Sequence, residues 1–372
     1  MVLGALLMVA SPASAAHGTE SSGCSGFRIV SVPHATDYDI LDSVASVSPT
    51  DVWAAGLSED PQTAVSKVLV ERWNGRAWRI VSAPDPGTVR NTLTGISAIG
   101  AGDIWAVGTR SLDSARSNPH TAGLAEHWTG GAWHVIPTPR SSSHNFTLHA
   151  VAAVSRTDVW AAGDDTDLST GRDHVLVEHW NGTRWRVVAV PRPSGPDNFL
   201  TGITAFGRRV WAVGVTSSGT EATAITEFFN GSRWRLLEPG VLSLSGAGTS
   251  PIGTTWAVGG TSAGKVVIER WRSGAWHRLA APTPPGGHGS LVDITSPRSG
   301  SIWAAGSDAT DRIHPLVETW NGVNWRTVTV QEPASGGDLH GIDAARRGHV
   351  WAVGETDVGG NIVRPLVERS CR

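Results

Sequence analysis

From residue 27 onward the chain alternates apolar and polar positions in short runs broken by Gly, Pro, Asn and Ser, the pattern of β-strands separated by turns. The alternation recurs on a longer scale. The phrase Trp-Ala-(Ala/Val)-Gly stands at Trp53, Trp105, Trp160, Trp211, Trp256, Trp303 and Trp351, in steps of 52, 55, 51, 45, 47 and 48 residues. Twelve residues earlier, or eleven in one unit, a Leu opens another alternating segment: Leu41, Leu93, Leu148, Leu200, Leu244, Leu291 and Leu339. The Leu segment reads as strand A of a repeated unit and the Trp phrase as strand B. A third segment, strand C, ends in Glu71, Glu126, Glu178, Glu227, Glu269, Glu318 or Glu368, each preceded by small or branched apolar residues. Seven residues on, six units carry a further Trp: Trp78, Trp133, Trp185, Trp234, Trp276 and Trp325. Phrases such as Trp180-Asn181-Gly182-Thr183-Arg184-Trp185 read as C–D hairpins, because Asn-Gly takes positive φ at little steric cost. Strand D then runs into a Pro.

Units near 50 residues with four short strands each are the signature of propeller blades, and a helical reading is untenable. The expected fold is all-β: a seven-bladed β-propeller with four antiparallel strands per blade. The seventh unit stops at Cys371-Arg372 without a strand D. The missing strand is at the other end, where Phe27-Arg28-Ile29-Val30 matches a strand D in character, with Phe27 in the Trp position. An N-terminal strand completing the last blade removes an unpaired sheet edge. It also brings Cys24 and Cys371, the two cysteines of the chain, to one seam, where a disulfide is expected.

Composition changes this picture at the ends. Val2 to Ala10 is apolar and is followed by Ser11-Pro12-Ala13-Ser14-Ala15-Ala16, a small-x-small cleavage pattern. Residues 1–16 are read as a signal peptide, 17–23 as a linker and 24–372 as the propeller, giving a secreted, extracellular protein. No later segment approaches the roughly 20 apolar residues of a membrane span. Charged residues make up 17% of the chain and the net charge is −3, with no run of Lys or Arg, so nucleic acid is excluded as a partner. The chain reads as a monomer whose partner is an extracellular glycan or protein.

All 18 Trp belong to the repeat and are expected to pack between blades, with the hairpin Trp nearer the rim. Each strand C Glu is expected opposite a basic residue of strand D (Arg79, His134, Arg186, Arg235, His277, Arg326 or Arg28), in cross-strand ion pairs. Strand parity puts the A–B and C–D turns on one face and the B–C and D–A loops on the other. The turns keep fixed spacings while the B–C spacing varies, so the B–C/D–A face is the candidate binding surface. Residues directly after the strand A Leu should reach the channel mouth there: Asp42, Thr94, His149, Thr201, Ser245, Val292 and His340. The D–A loop of the first unit adds His34, Tyr38 and Asp39. Tyr38, His149 and His340 form a candidate proton-transfer set for a polysaccharide lyase or glycoside hydrolase. Asp164, Asp165 and Asp167 are candidate calcium ligands, although their spacing misses the helical calcium-loop pattern. No other metal or cofactor is expected.

The Gly-x-x-Trp hairpin core resembles the Asp-box of sialidase-like propellers, with Trp where that motif has Asp, as at Trp180. In length and aromatic-plus-Gly content the units look like kelch and tectonin repeats, without the kelch Gly-Gly doublet. The chain also resembles a group of Trp-rich propellers exported by actinobacteria, over residues 24–372, which implies fold and not activity. The expectation for function is a secreted binding or scaffold protein contacting carbohydrate or protein through the B–C/D–A face. The alternatives are the lyase or hydrolase above, or a structural envelope protein without a small ligand.

Overall fold

The computed structural model describes residues 25–115, 119–218, 222–240, 243–297, 301–345 and 348–371. Residues 1–24, with the expected signal peptide and Cys24, lie outside them. The described strands form five four-stranded sheets and one of eight strands. The larger sheet divides at a single parallel bridge between Tyr38 and Val363, and its two halves are antiparallel four-stranded units like the others.

In chain order, blade 1 comprises Tyr38–Ser48, Asp51–Asp60, Val65–Trp73 and Trp78–Ile80, and blade 2 Asn91–Gly100, Asp103–Ser111, Thr121–Trp128 and Trp133–Val135. Blade 3 is His144–Ser155, Asp158–Asp167, Arg172–Trp180 and Trp185–Val187; blade 4 is Asp197–Phe206, Arg209–Ser217, Ala222–Phe229 and Trp234–Leu237. Blade 5 is Gly246–Thr249, Thr255–Gly260, Val266–Arg272 and Ala275–Arg278; blade 6 is Gly289–Thr295, Ile302–Ala309, Ile313–Trp320 and Trp325–Val328. Blade 7 takes Asp338–Ala344, Val350–Gly359 and Ile362–Ser370, and its fourth strand is the N-terminal Phe27–Ile29, with Phe27 opposite Ser370 and Ile29 opposite Glu368. Inner strands lie against one another in sequence, and Asp338–Ala344 returns to Tyr38–Ser48, so the ring closes. The molecule is a β-propeller.

The core lies between blades. Trp53 of blade 1 packs on Trp128 and Trp133 of blade 2 at ring-centre distances of 4.8 and 5.7 Å, Trp105 does the same with Trp180 and Trp185, and Trp256 with Trp320 and Trp325. Phe27 takes the hairpin Trp place against Trp303 at 5.7 Å, and Trp351 meets Trp73 and Trp78 across the closure. A buried aromatic removes roughly 150 to 250 Å² from water, so this girdle supplies much of the driving force. Every Trp is buried or half-buried.

The C–D hairpins differ from expectation. Trp73 pairs with Trp78 across a four-residue turn in which Asn74 Oδ1 accepts the Arg76 and Ala77 amides at 3.0 Å each and Gly75 takes φ +93°. This register sets Glu71 opposite Ile80 and Arg72 opposite Arg79, so the cross-strand ion pairs do not form. Glu71, Glu126, Glu178, Glu227, Glu318 and Glu368 are fully buried, with neither carboxyl oxygen hydrogen-bonded, and burial pushes each up to about 8. Glu269 alone among the seven has a partner, Arg278, at 3.0 Å.

Candidate functional site

The Gly of each Trp phrase decides where the site lies. In blade 1, Leu41 pairs with Gly56 and Ser43 with Ala55, so Asp42 is an extra residue expelled from the ladder as a β-bulge. A Cβ on Gly56 would sit 2.0 Å from the Ile40 carbonyl oxygen, so the bulged strand can approach that closely only over glycine. The same shift follows Leu93, Leu148, Leu200, Leu291 and Leu339. The expelled residues are Asp42, Thr94, His149, Thr201, Val292 and His340; in blade 5 the equivalent Ser245 precedes the strand and donates its amide to Val258. All seven line one central cavity of about 620 Å³.

Chemically the seven positions are unequal. The Thr94 and Thr201 hydroxyls donate across blade boundaries to the Leu148 and Leu244 carbonyls, at 2.8 and 3.3 Å, and so stitch the ring. His149 Nε2 lies 2.6 Å from Asp164, and His144 Nδ1 lies 2.5 Å from Asp165. Asp167 accepts from the amide and hydroxyl of Ser169 in its own turn. The three acids proposed for calcium are therefore spent on separate partners, and among the described residues no group of three or more His, Cys, Asp or Glu is arranged to hold a metal ion.

Blades 1 and 7 bring Asp42 and His340 to the cavity lining, with Asp338 and Glu355 beside them outside it. His340 Nδ1 is 3.3 Å from Asp42 Oδ1, and its Nε2 is 3.8 Å from Asp338 Oδ2. Burial works against the His340 cation, but Asp42, Asp338 and Glu355 outweigh it and hold the imidazole above the usual histidine value. Burial raises Glu355, an effect that His340 offsets and Asp338, Asp42 and Asp357 reinforce. Tyr38 stands outside the cavity lining, and burial together with Glu355, Glu59 and Asp357 raises its phenol. His149 in blade 3 and His340 in blade 7 belong to sectors three blades apart, so Tyr38, His149 and His340 are distributed around the mouth. Asp39 is fully buried, and its carboxylate accepts from the Ala35 and Thr36 amides and the Thr36 hydroxyl, which fixes the D–A loop. His34 is exposed on that loop and does not line the cavity.

Two cavity residues were not singled out in the sequence. Asp293 Oδ2 accepts the Ile342 amide at 2.9 Å; Asp343 accepts the Ser46 amide and the Thr295 hydroxyl, both at 2.7 Å, so these carboxylates join blades 6, 7 and 1. Burial drives Asp293 up to about 6 and raises Asp343. The signal was their position: Asp293 replaces the Ser, Gly or Ala that other inner strands carry two residues after Leu.

Solved structures of like architecture place this ring among the β-propellers. A structure described as YCF48 bound to D1 peptide matches at TM-score 0.58 and 13% identity, over 93% of this chain and 96% of that one. The WD40 propeller domain of Doa1 matches at 0.54 and 11%, over 92% and 97%. A puromycin hydrolase complexed with PGG matches at 0.55 and 13%, over 85% of this chain and 50% of the hydrolase. At these identities the likeness is one of fold. No protein-family profile and no curated protein sequence matches the chain.

Proposed function

We propose that the chain is an exported, monomeric binding propeller that receives a segment of a partner protein at the channel mouth on its B–C/D–A face. The observation that carries the reading is the convergence of the seven bulge-position residues on one cavity beneath loops of unequal length. Rigid strands carrying variable loops are the usual design of a recognition surface. Asp42, Asp338 and Glu355 give one sector carboxylates, with His340 between them, which suits a ligand bearing amines or amides. The packing of the Trp rings against one another between blades favours a protein over a glycan, and a structure of like fold is described with a peptide bound. The dispersal of Tyr38, His149 and His340 weighs against catalysis. No helix among the described residues is long and apolar enough to cross a membrane.

Parallel peptide and glycan arrays probed with the purified protein test the reading. Binding to peptides, lost by tenfold or so in a D42N/H340Q double variant with an unchanged unfolding midpoint, is the expected result. Release of unsaturated or reducing ends from polysaccharide would replace this reading with the enzymatic one.

The seam supports a disulfide between Cys24 and Cys371. The Cys371 amide donates to the Gly26 carbonyl at 2.7 Å, which brings the segment just after Cys24 beside the chain end. Non-reducing mass spectrometry is expected to recover the two cysteines in one linked peptide; two free thiols would refute the bridge.

A further inference from the structure

On the A–B/C–D face, opposite the mouth, blades 1 to 3 repeat a three-part device. A carboxylate two residues before the strand B Trp holds a cationic or imidazole side chain of strand C against the Trp ring. Asp51 Oδ1 accepts from Arg72 Nε at 2.7 Å, and the guanidinium lies 4.8 Å from the centre of the Trp53 ring. Asp103 and His127 are 2.8 Å apart, with His127 stacked on Trp105; Asp158 and His179 are 2.9 Å apart, with His179 stacked on Trp160.

Blade 5 keeps two of the three parts. Arg270 pairs in register with Trp256 and lies 5.2 Å over its ring, as Arg72 does over Trp53. The carboxylate position is Thr254, and the Arg270 guanidinium has no ion pair or hydrogen bond among the described residues. It lines a cleft of about 190 Å³ with Thr254, Pro251, Ile252, Pro297 and Trp320. Ile252 is 87% exposed, the most exposed large apolar side chain among the described residues. The adjoining turns of blades 4 and 5 hold exposed Arg208, Arg209, Arg233 and Arg272 and no acidic residue. A half-buried guanidinium without an anion, in a basic and partly apolar surround, is electrostatically incomplete.

We propose that this cleft binds an acidic-aliphatic peptide segment of a partner protein. A carboxylate takes on Arg270 the place that Asp51 holds on Arg72, and a neighbouring aliphatic side chain covers Ile252 and Pro251. The chain itself supplies the template for the first contact in blade 1, and an imidazole version of it in blades 2 and 3. The cleft is smaller than the roughly 300 to 1,000 Å³ of sites that enclose a whole small molecule, so it seats the anchor residue of a larger partner.

The test uses a pool of terminally blocked, fluorescein-labelled pentapeptides with central Glu or Asp flanked by Leu, Ile or Val, beside a matched pool with Gln or Asn. Anisotropy at low salt is expected to show saturable binding of the acidic pool, tighter by roughly fivefold or more than the amide pool. Arg270→Gln equalises the two pools. Thr254→Asp, which restores the missing carboxylate within the chain, also abolishes the preference while leaving the unfolding midpoint at or above that of the unaltered protein. Equal binding of the two pools overturns the proposal, as does an acidic preference that survives Thr254→Asp. Adsorption to phosphatidylserine vesicles without peptide preference would assign the cleft to a membrane surface and overturn it equally.

Discussion

Gly163→Ala is expected to lower the unfolding free energy by about 3 kcal/mol or more, a large loss for one methyl group. Its Cβ would lie 1.9 Å from the Thr147 carbonyl oxygen and 2.9 Å from Leu148 Cα, both backbone atoms of the bulged inner strand, which cannot swing aside as a flexible side chain would. Relief requires the strand to move outward, which breaks the Leu148–Gly163 pairing and displaces His149 from the mouth. The equivalent glycines Gly56, Gly108, Gly214, Gly306 and Gly354 meet the same carbonyl at 1.9 to 2.0 Å, so each substitution is expected to cost as much. Gly131→Ala is the control: nothing lies within 4 Å of its Cβ, and its cost is expected below about 0.5 kcal/mol. Urea unfolding of the two variants measures the difference. Equal stabilities would remove the steric basis of the bulge.

Stability is expected to fall as pH rises from about 5 to 9. The six unpartnered strand C carboxyls are raised by burial from 4.5 to about 8 in the folded chain, so the folded state holds protons that the unfolded state has released. Their contribution is fully present below pH 4.5 and is lost as pH climbs through the folded value near 8. Glu178→Gln, which keeps the shape and removes the charge, is expected to be near neutral at pH 5 and stabilising by several kcal/mol at pH 9. Thermal unfolding across that range reads both effects; a midpoint that stays level or rises toward pH 9 would show that these carboxyls are solvated or paired.

Large rings and glycines with no alternative made the frame legible in the sequence. The Trp phrase fixes blade spacing because the ring fills the wedge between blades. Phe27 could be assigned to the last blade because the last unit lacks a strand D and Phe27-Arg28-Ile29-Val30 has the character of one; its packing on Trp303 was seen only in the structure. Strand parity alone placed Asp42, Thr94, His149, Thr201, Ser245, Val292 and His340 at one mouth, although the bulge that turns them inward follows from a backbone contact that spacing does not display. The C–D register escaped because the Asn side chain closes a four-residue turn in blades 1, 3, 4 and 6, which moves the cross-strand partners there by one position and leaves Glu71 facing Ile80. Partners distant in sequence were invisible for the same physical reason: a carboxylate reads alike whether it caps a loop, as Asp39 does, or joins two blades, as Asp343 does. Thr254 carried a signal only after Asp51, Asp103 and Asp158 had been seen holding Arg72, His127 and His179.

The most direct test of the channel mouth as the receiving surface is amide hydrogen exchange on the Thr254→Asp protein, with and without the tightest peptide from the array. Slowed exchange is predicted at the bulges after Leu41, Leu148 and Leu339 and in the B–C loops above them, with the A–B and C–D turns unchanged. Protection confined to those turns, or to the outer strands, would contradict it.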